Sequence, residues 1–340
     1  MVRPLIIIGA VAAAAVLTFS VVVLAQSQHS ASDYKAPRTP WGDPDLQGIW
    51  PSTEMVGVPL QRPEGFGTRA LLTDAEFTAR QTQFAQQAEN DEEAFVAPRA
   101  GGGGGDGTGP PSHWGERGTP QRQASLIIDP PNGRMPAMTP YGAERAAYRA
   151  RQSSMGPGPF NSAADLDYYD RCLSRGVLGS ISPVVYNNGT EIVQAPGYVV
   201  IRYEMIHDFR VIPIDPRPAL SSAIRQYMGE ARGRWEGDTL VVETTNFNGT
   251  IGVTGNGRLQ PTSDALTMTE RFTRTGADTV QYQATVNDPK TWTGPWTVSF
   301  PLKRDDGYGF YEYACHEGNN AMRNILSGAR ASERAAGNPR

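Results

Sequence analysis

The chain has 340 residues, of which 39% are hydrophobic and 19% are charged, and its formal net charge at pH 7 is −4. This length is ample for one large hydrophobic core or two modest ones. The mild acidity, with no basic run along the chain, argues against a nucleic-acid partner.

The first 25 residues are typical of an export signal. Arg3 precedes an apolar run from Leu5 to Ala25, and small residues end that run just before Gln26, where a signal peptidase would cut. The run is also long enough to span a bilayer, so an uncleaved anchor is the alternative, and the membrane would then be contacted through this segment alone. Both possibilities place the rest of the chain outside the cytoplasm, in the periplasm or the medium. Without Arg3 its net charge is 30 − 35 = −5.

Two helices are predicted before the β-rich part of the chain. The stretch 73–93 opens with Thr73 and Glu76 at capping-box spacing and continues with good helix formers. The stretch 139–152 has Thr139 as its N-cap, with a proline at the first helical position.

The first of these helices belongs to a predicted N-terminal arm at 26–98. A disordered linker is predicted over 99–127, because 99–111 contains too much glycine and proline to support a packed core. The arm is therefore expected to be separate from the domain that follows it.

From Ile181 onward, short runs rich in β-branched and aromatic residues alternate with Gly, Asn, Asp or Pro. The seven runs are 191–196, 198–214, 238–247, 265–273, 278–286, 296–302 and 308–316. Few helical patterns lie between them, so they predict an antiparallel meander that curls into a barrel or sandwich. A helix beginning near 320 would close this domain, which is predicted to span 128–330 before a flexible tail at 331–340.

A short N-terminal motif and this meander together resemble a known family. The stretch 45–50 carries Gly48-Ile49-Trp50, and with the strands and the closing helix it resembles the lipocalin and wider calycin barrels. The resemblance implies a closed barrel that Trp50 plugs at one end. The alternative is that Trp50 fixes an extended arm to the surface of the sheet. The fold expected is mainly β: a meander closing into a calycin-like barrel, with an N-terminal arm, two or three peripheral helices and a C-terminal helix.

A second resemblance covers more of the chain. It rests on five stretches, 37–50, 171–176, 233–248, 288–296 and 312–319. They are similar to stretches of a large group of exported bacterial proteins that has no established activity. The function therefore has to be argued from individual side chains.

Polar residues on apolar strand faces indicate where the chemistry would lie. Successive residues of a strand point to opposite sides, so each run separates into two faces. Side chains that interrupt an apolar face at this period are His207, Glu270, Glu312 and His316. A buried carboxylate is costly unless it is paired or functional, so we expect these groups to converge on one internal cavity. His207, Glu270, Glu312 and Tyr203 are the candidate catalytic residues, and the other possibility is that they simply brace the core.

The same inward faces supply candidate ligand contacts. These are Met205, Met268, Tyr282, Trp296 and His316. Imidazole and carboxylate groups can also bind a metal, but no close His spacing supports such a site, and no metal or cofactor is assigned.

The two cysteines, Cys172 and Cys315, are an isolated pair in an exported chain, which predicts one disulfide. Arg171 and Arg175 flank the first cysteine and are candidates to receive an anionic group.

Three functions are compatible with these features. The first is a barrel that binds a small, largely apolar molecule, aromatic or terpenoid-like, in its central cavity without changing it. The second is a cofactor-independent lyase, isomerase or hydrolase, with Glu270 or Glu312 as base and His207 or Tyr203 as acid. The third is an envelope protein that binds a protein partner, which a large exposed apolar patch would favour.

Overall fold

The computed structural model describes residues 34–92, 115–152, 157–215, 217–254 and 260–337. The predicted export segment at 1–25 and the glycine-rich stretch at 99–111 lie outside these ranges. By backbone contacts, Lys35–Arg340 forms one unit that contains both the arm and the strands. Among the helices in the described ranges, none combines the length and the hydropathy needed to cross a membrane.

The helices follow the sequence signals closely. They are α1 (Asp74–Glu92), α2 (Pro140–Gln152), α3 (Val177–Ile181) and α4 (Ala321–Ala335). The predicted capping box precedes α1: the amide of Thr73 donates to Glu76 Oε2 at 2.8 Å, and the amide of Glu76 donates to Thr73 Oγ1 at 3.3 Å. Thr139 caps α2 by accepting the Gly142 amide at 3.1 Å. The predictions of helices at α1, α2 and α4 are confirmed, but α4 continues to Ala335, so the predicted flexible tail at 331–340 is wrong for 331–335. The short α3 was not predicted.

Antiparallel pairing joins the strands into two sheets. The strands are β1 (Gly48–Ile49), β2 (Ile127–Asp129), β3 (Thr190–Ala195), β4 (Tyr198–Tyr203), β5 (Phe209–Pro213), β6 (Glu230–Glu236), β7 (Thr239–Thr245), β8 (Thr267–Gly276), β9 (Thr279–Asn287) and β10 (Trp296–Lys303). One sheet has the order β1-β3-β4-β5, and the other has the order β2-β10-β9-β8-β7-β6.

The inner faces of both sheets contribute to one hydrophobic core. Ile192, Val199, Ile201 and Ile212 come from the four-stranded sheet, and Leu240, Phe272, Tyr282, Val298 and Phe300 come from the six-stranded sheet. The Tyr282 ring centre lies 5.0 Å from that of Phe272 and 5.1 Å from that of Phe300. In β8 and β9, and in β10 from Val298 onward, the buried residues alternate with more exposed ones, as the period of two predicts.

A closed calycin-like barrel is not found among the described strands. No hydrogen-bonded ladder joins β5 to β6, so the sheets stay separate at this edge. Their side chains meet instead, because Gly233 of β6 leaves room for Ile212 and Ile214. A Cβ atom added at Gly233 would lie only 2.4 Å from Ile214 Cδ1. The mainly β, antiparallel part of the prediction is correct, and its closure into a barrel is not observed.

The N-terminal arm is fixed to the four-stranded sheet. β1 pairs with β3, and the fully buried Trp50 donates its backbone amide to the Thr190 carbonyl at 2.7 Å. Its indole Nε1 donates to the Leu46 carbonyl, also at 2.7 Å. Trp50 belongs to the hydrophobic core, so it attaches the arm to the sheet from the buried side and not at the sheet's surface.

The predicted linker at 99–127 extends too far along the chain. Its last part is packed, since Leu126 and Ile127 are buried and Ile127–Asp129 pairs with β10. The apolar residues that follow the glycine-rich stretch have enough buried surface to order this segment. Disorder is therefore wrong for 115–127, and the prediction for 99–111 stays a prediction.

Candidate functional site

Glu270 lies at the centre of a buried polar network between the sheets. Arg210 of β5 donates Nη1 to Glu270 Oε2 at 2.6 Å and Nη2 to Glu270 Oε1 at 2.9 Å. Arg210 Nε donates to the Tyr203 hydroxyl at 3.0 Å, and the Tyr282 hydroxyl donates to Glu270 Oε1 at 3.1 Å. The inward position predicted for Glu270 is correct, but its partner, Arg210, was not among the predicted site residues.

This network has the properties of a structural brace. Glu270, Tyr203 and Tyr282 are fully buried, and no nitrogen of Arg210 is left without a partner. Burial opposes the charge of Arg210, but the facing carboxylate outweighs it and raises the pKa of Arg210. Burial, and then the charge of Glu270, raises the pKa of Tyr282. A bidentate pair with its hydrogen bonds complete leaves no group free to move a proton at neutral pH.

The other predicted acid/base groups do not reach this network. His207, Glu312 and His316 are exposed, so they do not share a cavity with Glu270. The predicted single strand over 198–211 is in fact a hairpin: the backbone turns at Ile206 and His207, whose φ angles are 63° and 46°.

The hairpin also explains why Arg210 faces inward, although unbroken alternation from Tyr203 would turn it outward. It resets the alternation of faces, and in the new register Arg210 lies directly opposite the inward-facing Ile201. The segment 308–316 forms no strand, which places Glu312 and His316 in an exposed loop.

The predicted ligand contacts from the strand interiors are core residues. Met268, Tyr282 and Trp296 belong to the hydrophobic cluster between the sheets. Met205 is also buried, and its sulfur lies 3.7 Å from the hydroxyl of Tyr169.

An open cleft of about 740 Å³ lies at the end of the four-stranded sheet, where two loops meet. Its lining residues are Glu116, Tyr186, Asn187, Glu204, Tyr308, Gly309, Tyr311 and Tyr313. We call it the tyrosine cleft. The turn before β3 supplies one side and the loop after β10 supplies the other.

One end of the tyrosine cleft is acidic. The Tyr308 hydroxyl lies 2.7 Å from Glu204 Oε2 and 2.9 Å from Glu116 Oε1. Burial, followed by the hydrogen bond to Glu204 and the charge of Glu116, raises the pKa of Tyr308. A phenol has one proton, so Tyr308 donates to one carboxylate at a time.

The two carboxylates also hold the turn at 186–189 in place. Glu116 accepts the Asn188 amide at 3.1 Å and Asn188 Nδ2 at 3.0 Å. Glu204 accepts Asn187 Nδ2 at 2.9 Å and the Gly189 amide at 3.2 Å. These contacts fix the wall of the cleft before any ligand binds.

The predicted disulfide between Cys172 and Cys315 is present, with the two Cα atoms 5.7 Å apart. It indicates an oxidising compartment, consistent with export. It also joins the loop after β10, which we call the tyrosine-bearing loop, to the segment before α3. The same loop is held by His207, whose Nδ1 lies 2.9 Å from the Tyr313 carbonyl oxygen.

The two arginines near Cys172 differ in burial and in the partners of their guanidinium groups. Arg171 is half-buried, and its guanidinium lies 5.5 Å from the centre of the Tyr168 ring. Arg175 is 1% exposed, and its Nε and Nη2 have no hydrogen-bond partner. Burial lowers the pKa of Arg175 to about 10, so the side chain still carries its charge at neutral pH.

Sequence reasoning missed Glu116, Glu204 and Arg210. Glu116 lies in the segment that the glycine-rich composition assigned to a linker. Glu204 and Arg210 lie in a run of 17 residues, 198–214, that was interpreted as one strand. Strands of globular proteins are usually about 3–10 residues long, so the length of the run was a signal for a turn.

In the described part of the chain, no group of three or more His, Cys, Asp or Glu side chains is arranged to hold a metal. No family model, curated protein or solved structure matches this chain, so its function is argued here from the chemistry of its own site.

Proposed function

We propose that this protein binds a small, largely aromatic or apolar molecule in the tyrosine cleft. The observation that carries the proposal is a preformed cleft with four tyrosines, Tyr186, Tyr308, Tyr311 and Tyr313, around one opening. Its volume of about 740 Å³ lies within the range of small-molecule sites, which is about 300–1,000 Å³. Tyrosine offers a flat apolar face and a polar tip, and therefore suits a ligand with both kinds of surface.

The exposure of Tyr311 supports the same proposal. This side chain is 75% exposed, although its loop is anchored by the disulfide. A large aromatic ring held in solvent on an anchored loop gains stabilisation when a ligand covers it.

The calycin-like interpretation would instead place the ligand between the two sheets. The candidate contacts there, among them Tyr282 and Trp296, already pack against other core side chains. The tyrosine cleft is open and needs no repacking of the core, and we therefore prefer it.

We further propose that the protein works in the periplasm or is secreted, with residues 5–25 acting as a cleaved signal or as an anchor. The disulfide supports an exported location.

The proposal is tested by a thermal-shift and calorimetry screen of aromatic and terpenoid-like compounds. We expect Tyr311→Ala to weaken binding of any hit by about fivefold or more, since stacking on one aromatic ring contributes roughly 1 kcal/mol or above. Tyr148→Ala is the matched control, because Tyr148 is an exposed tyrosine of α2 outside the cleft. Hits whose affinity is the same in both variants would contradict the proposal.

An acid/base enzyme is a second candidate, and the position of Tyr308 between two carboxylates favours it. The screen therefore also monitors each bound compound for conversion. If the cleft is catalytic, Tyr308→Phe should lower turnover by about 100-fold or more and leave affinity nearly unchanged. Binding without conversion supports the carrier.

A protein partner is favoured by a different surface. The outer face of the four-stranded sheet exposes a group of apolar side chains: Val193, Tyr198, Phe209 and Val211. Because the register places Val193, Val200 and Val211 side by side, this surface is continuous. Loss of a measured self-association or partner interaction in Phe209→Ser, with ligand binding retained, would identify it as an interface.

A further inference from the structure

Arg175 is a buried charge whose partner is missing. Its Nε and Nη2 are buried without a hydrogen-bond partner, and within the described ranges no carboxylate forms an ion pair with it. The ionisable groups that act on it are the phenols of Tyr169, Tyr186 and Tyr313. A charge in this position is costly unless it is paired, and arginines are rarely buried without a partner.

The three tyrosines do not supply the negative charge that Arg175 lacks. The hydroxyls of Tyr169 and Tyr313 lie 2.8 Å apart, and that of Tyr186 interacts with both. Burial raises the pKa of Tyr169 and of Tyr313, so both phenols stay neutral at physiological pH.

Two members of this cluster, Tyr186 and Tyr313, also line the tyrosine cleft, whereas Arg175 itself does not. The disulfide between Cys172 and Cys315 holds the segment that carries Arg175 against the loop that carries Tyr313. A group bound at the two hydroxyls would therefore be within reach of the guanidinium's charge, which already acts on both phenols. The acidic end, at Glu116 and Glu204, is formed around Tyr308 instead, and its carboxylates already accept hydrogen bonds from the turn at 186–189.

We infer that the ligand of the tyrosine cleft is an aromatic carboxylate, whose anionic group binds at the hydroxyls of Tyr186 and Tyr313 against the charge of Arg175. The inference rests on the proposed function and adds the charge of the ligand to it. The tyrosine hydroxyls can donate hydrogen bonds to a carboxylate, and the nearby positive charge favours an anion over a neutral group. The exposed ring of Tyr311 would cover the aromatic body.

The test compares a charged probe with its neutral isostere. 4-Hydroxybenzoate and 4-hydroxybenzamide have nearly the same size and shape, and the amide lacks the charge. Calorimetry on the oxidised protein should give about tenfold to 100-fold tighter binding of the carboxylate, the scale of a hydrogen-bonded charge partner. Inorganic phosphate is titrated as well, to measure how much of the affinity comes from charge alone.

The variant Arg175→Met removes the charge and keeps an unbranched side chain. We expect the carboxylate to lose its advantage over the amide and the Tm of the ligand-free protein to stay the same or rise. Arg62→Met is the matched control, because Arg62 is also buried with an unpartnered Nε, but its Nη1 donates to the Pro131 carbonyl at 2.7 Å and it lies outside the cleft lining. This variant should lower the Tm and leave the preference for the carboxylate unchanged.

The outcomes separate the two proposals. Equal binding of both probes, lost in Tyr311→Ala, would overturn the anionic ligand and keep the cleft as a binding site. Absence of any aromatic ligand for the cleft would overturn both. A large fall in Tm for Arg175→Met would show that the guanidinium is structural, and it would contradict the inference. Failure of Arg175→Met to fold would contradict the inference in the same way.

Discussion

Arg210 and Arg175 are both buried, but their surroundings differ. Arg210, between the sheets, has Glu270 and Tyr203 as partners for its guanidinium. Arg175, in the segment joined by the disulfide to the tyrosine-bearing loop, has two nitrogens without a partner. Arg210 has a complete set of hydrogen bonds and holds the fold together, whereas we propose that Arg175, with two unpartnered nitrogens near the cleft, serves a ligand. Burial alone would have assigned both residues the same role.

The largest loss of stability is expected when the buried network around Glu270 and Arg210 is broken. Glu270→Gln leaves Arg210 as an unpaired buried charge and should lower the free energy of unfolding by about 3–5 kcal/mol. Glu243→Gln is the control, because Glu243 pairs with Arg234 on the exposed surface, and it should cost about 0–1 kcal/mol. Urea unfolding followed by tryptophan fluorescence measures both. Similar small losses in the two variants would contradict the assignment of the buried network as a brace.

The disulfide provides the next test, because it joins the tyrosine-bearing loop to the segment that carries Arg175. Replacing Cys172 and Cys315 by serine should lower the free energy of unfolding by about 2–4 kcal/mol. It should also weaken ligand binding, since the loop that carries Tyr311 would lose its anchor. Thiol titration of the native protein should find no free cysteine. Two reactive thiols in the unreduced protein would be incompatible with this account.

A smaller effect is expected at the wall of the cleft. A Cβ atom at Gly189 would lie 2.8 Å from both Glu204 Oε2 and Tyr308 Cε1, so Gly189→Ala forces the wall to shift. We expect a loss of about 1–3 kcal/mol, as for other overpacked sites, together with weaker ligand binding. Gly294→Ala is the control, because the nearest atom to its added Cβ is 3.9 Å away. Equal unfolding midpoints in urea for the two variants would argue against a preformed wall.

The smallest effect is expected in the arm, far from either arginine. The Arg69 guanidinium, with the Thr73 amide and hydroxyl, lowers the pKa of Glu76 from 4.5 to about 2. A lowered pKa means that the ionised form stabilises the fold above pH 4.5 and that this stabilisation is lost as the pH falls towards 2. The Tm of Glu76→Gln should therefore lie below that of the unchanged protein at neutral pH. The difference in Tm should disappear near pH 2. A difference that is independent of pH would refute the role of the charge.

Local patterns predicted much of the fold. Several of its features depend only on neighbouring residues, and the structure confirms them. They are the capping box at Thr73 and Glu76, the N-cap at Thr139 and the alternation in β8 and β9. The disulfide followed from the number of cysteines and the export signal.

The candidate site was harder to predict, because it depends on contacts between distant segments. The alternation rule failed at Ile206 and His207, where positive φ angles turn the chain without a glycine or proline to mark the place. Glu116 meets Glu204 only through the tertiary structure. The choice of Arg175 as a candidate for an anionic group stays a prediction, and its lack of a partner is visible only once its neighbours are placed.

The most direct test compares the unfolding free energies of Arg210→Met and Arg175→Met in ligand-free protein under identical conditions. We predict a loss of about 3–5 kcal/mol for Arg210→Met, because Glu270 is left buried and unpaired. We predict no loss, or a gain, for Arg175→Met, because that change removes a buried charge that has no partner. Equal losses in the two variants would contradict the claim that incomplete hydrogen bonding distinguishes the binding arginine from the structural one.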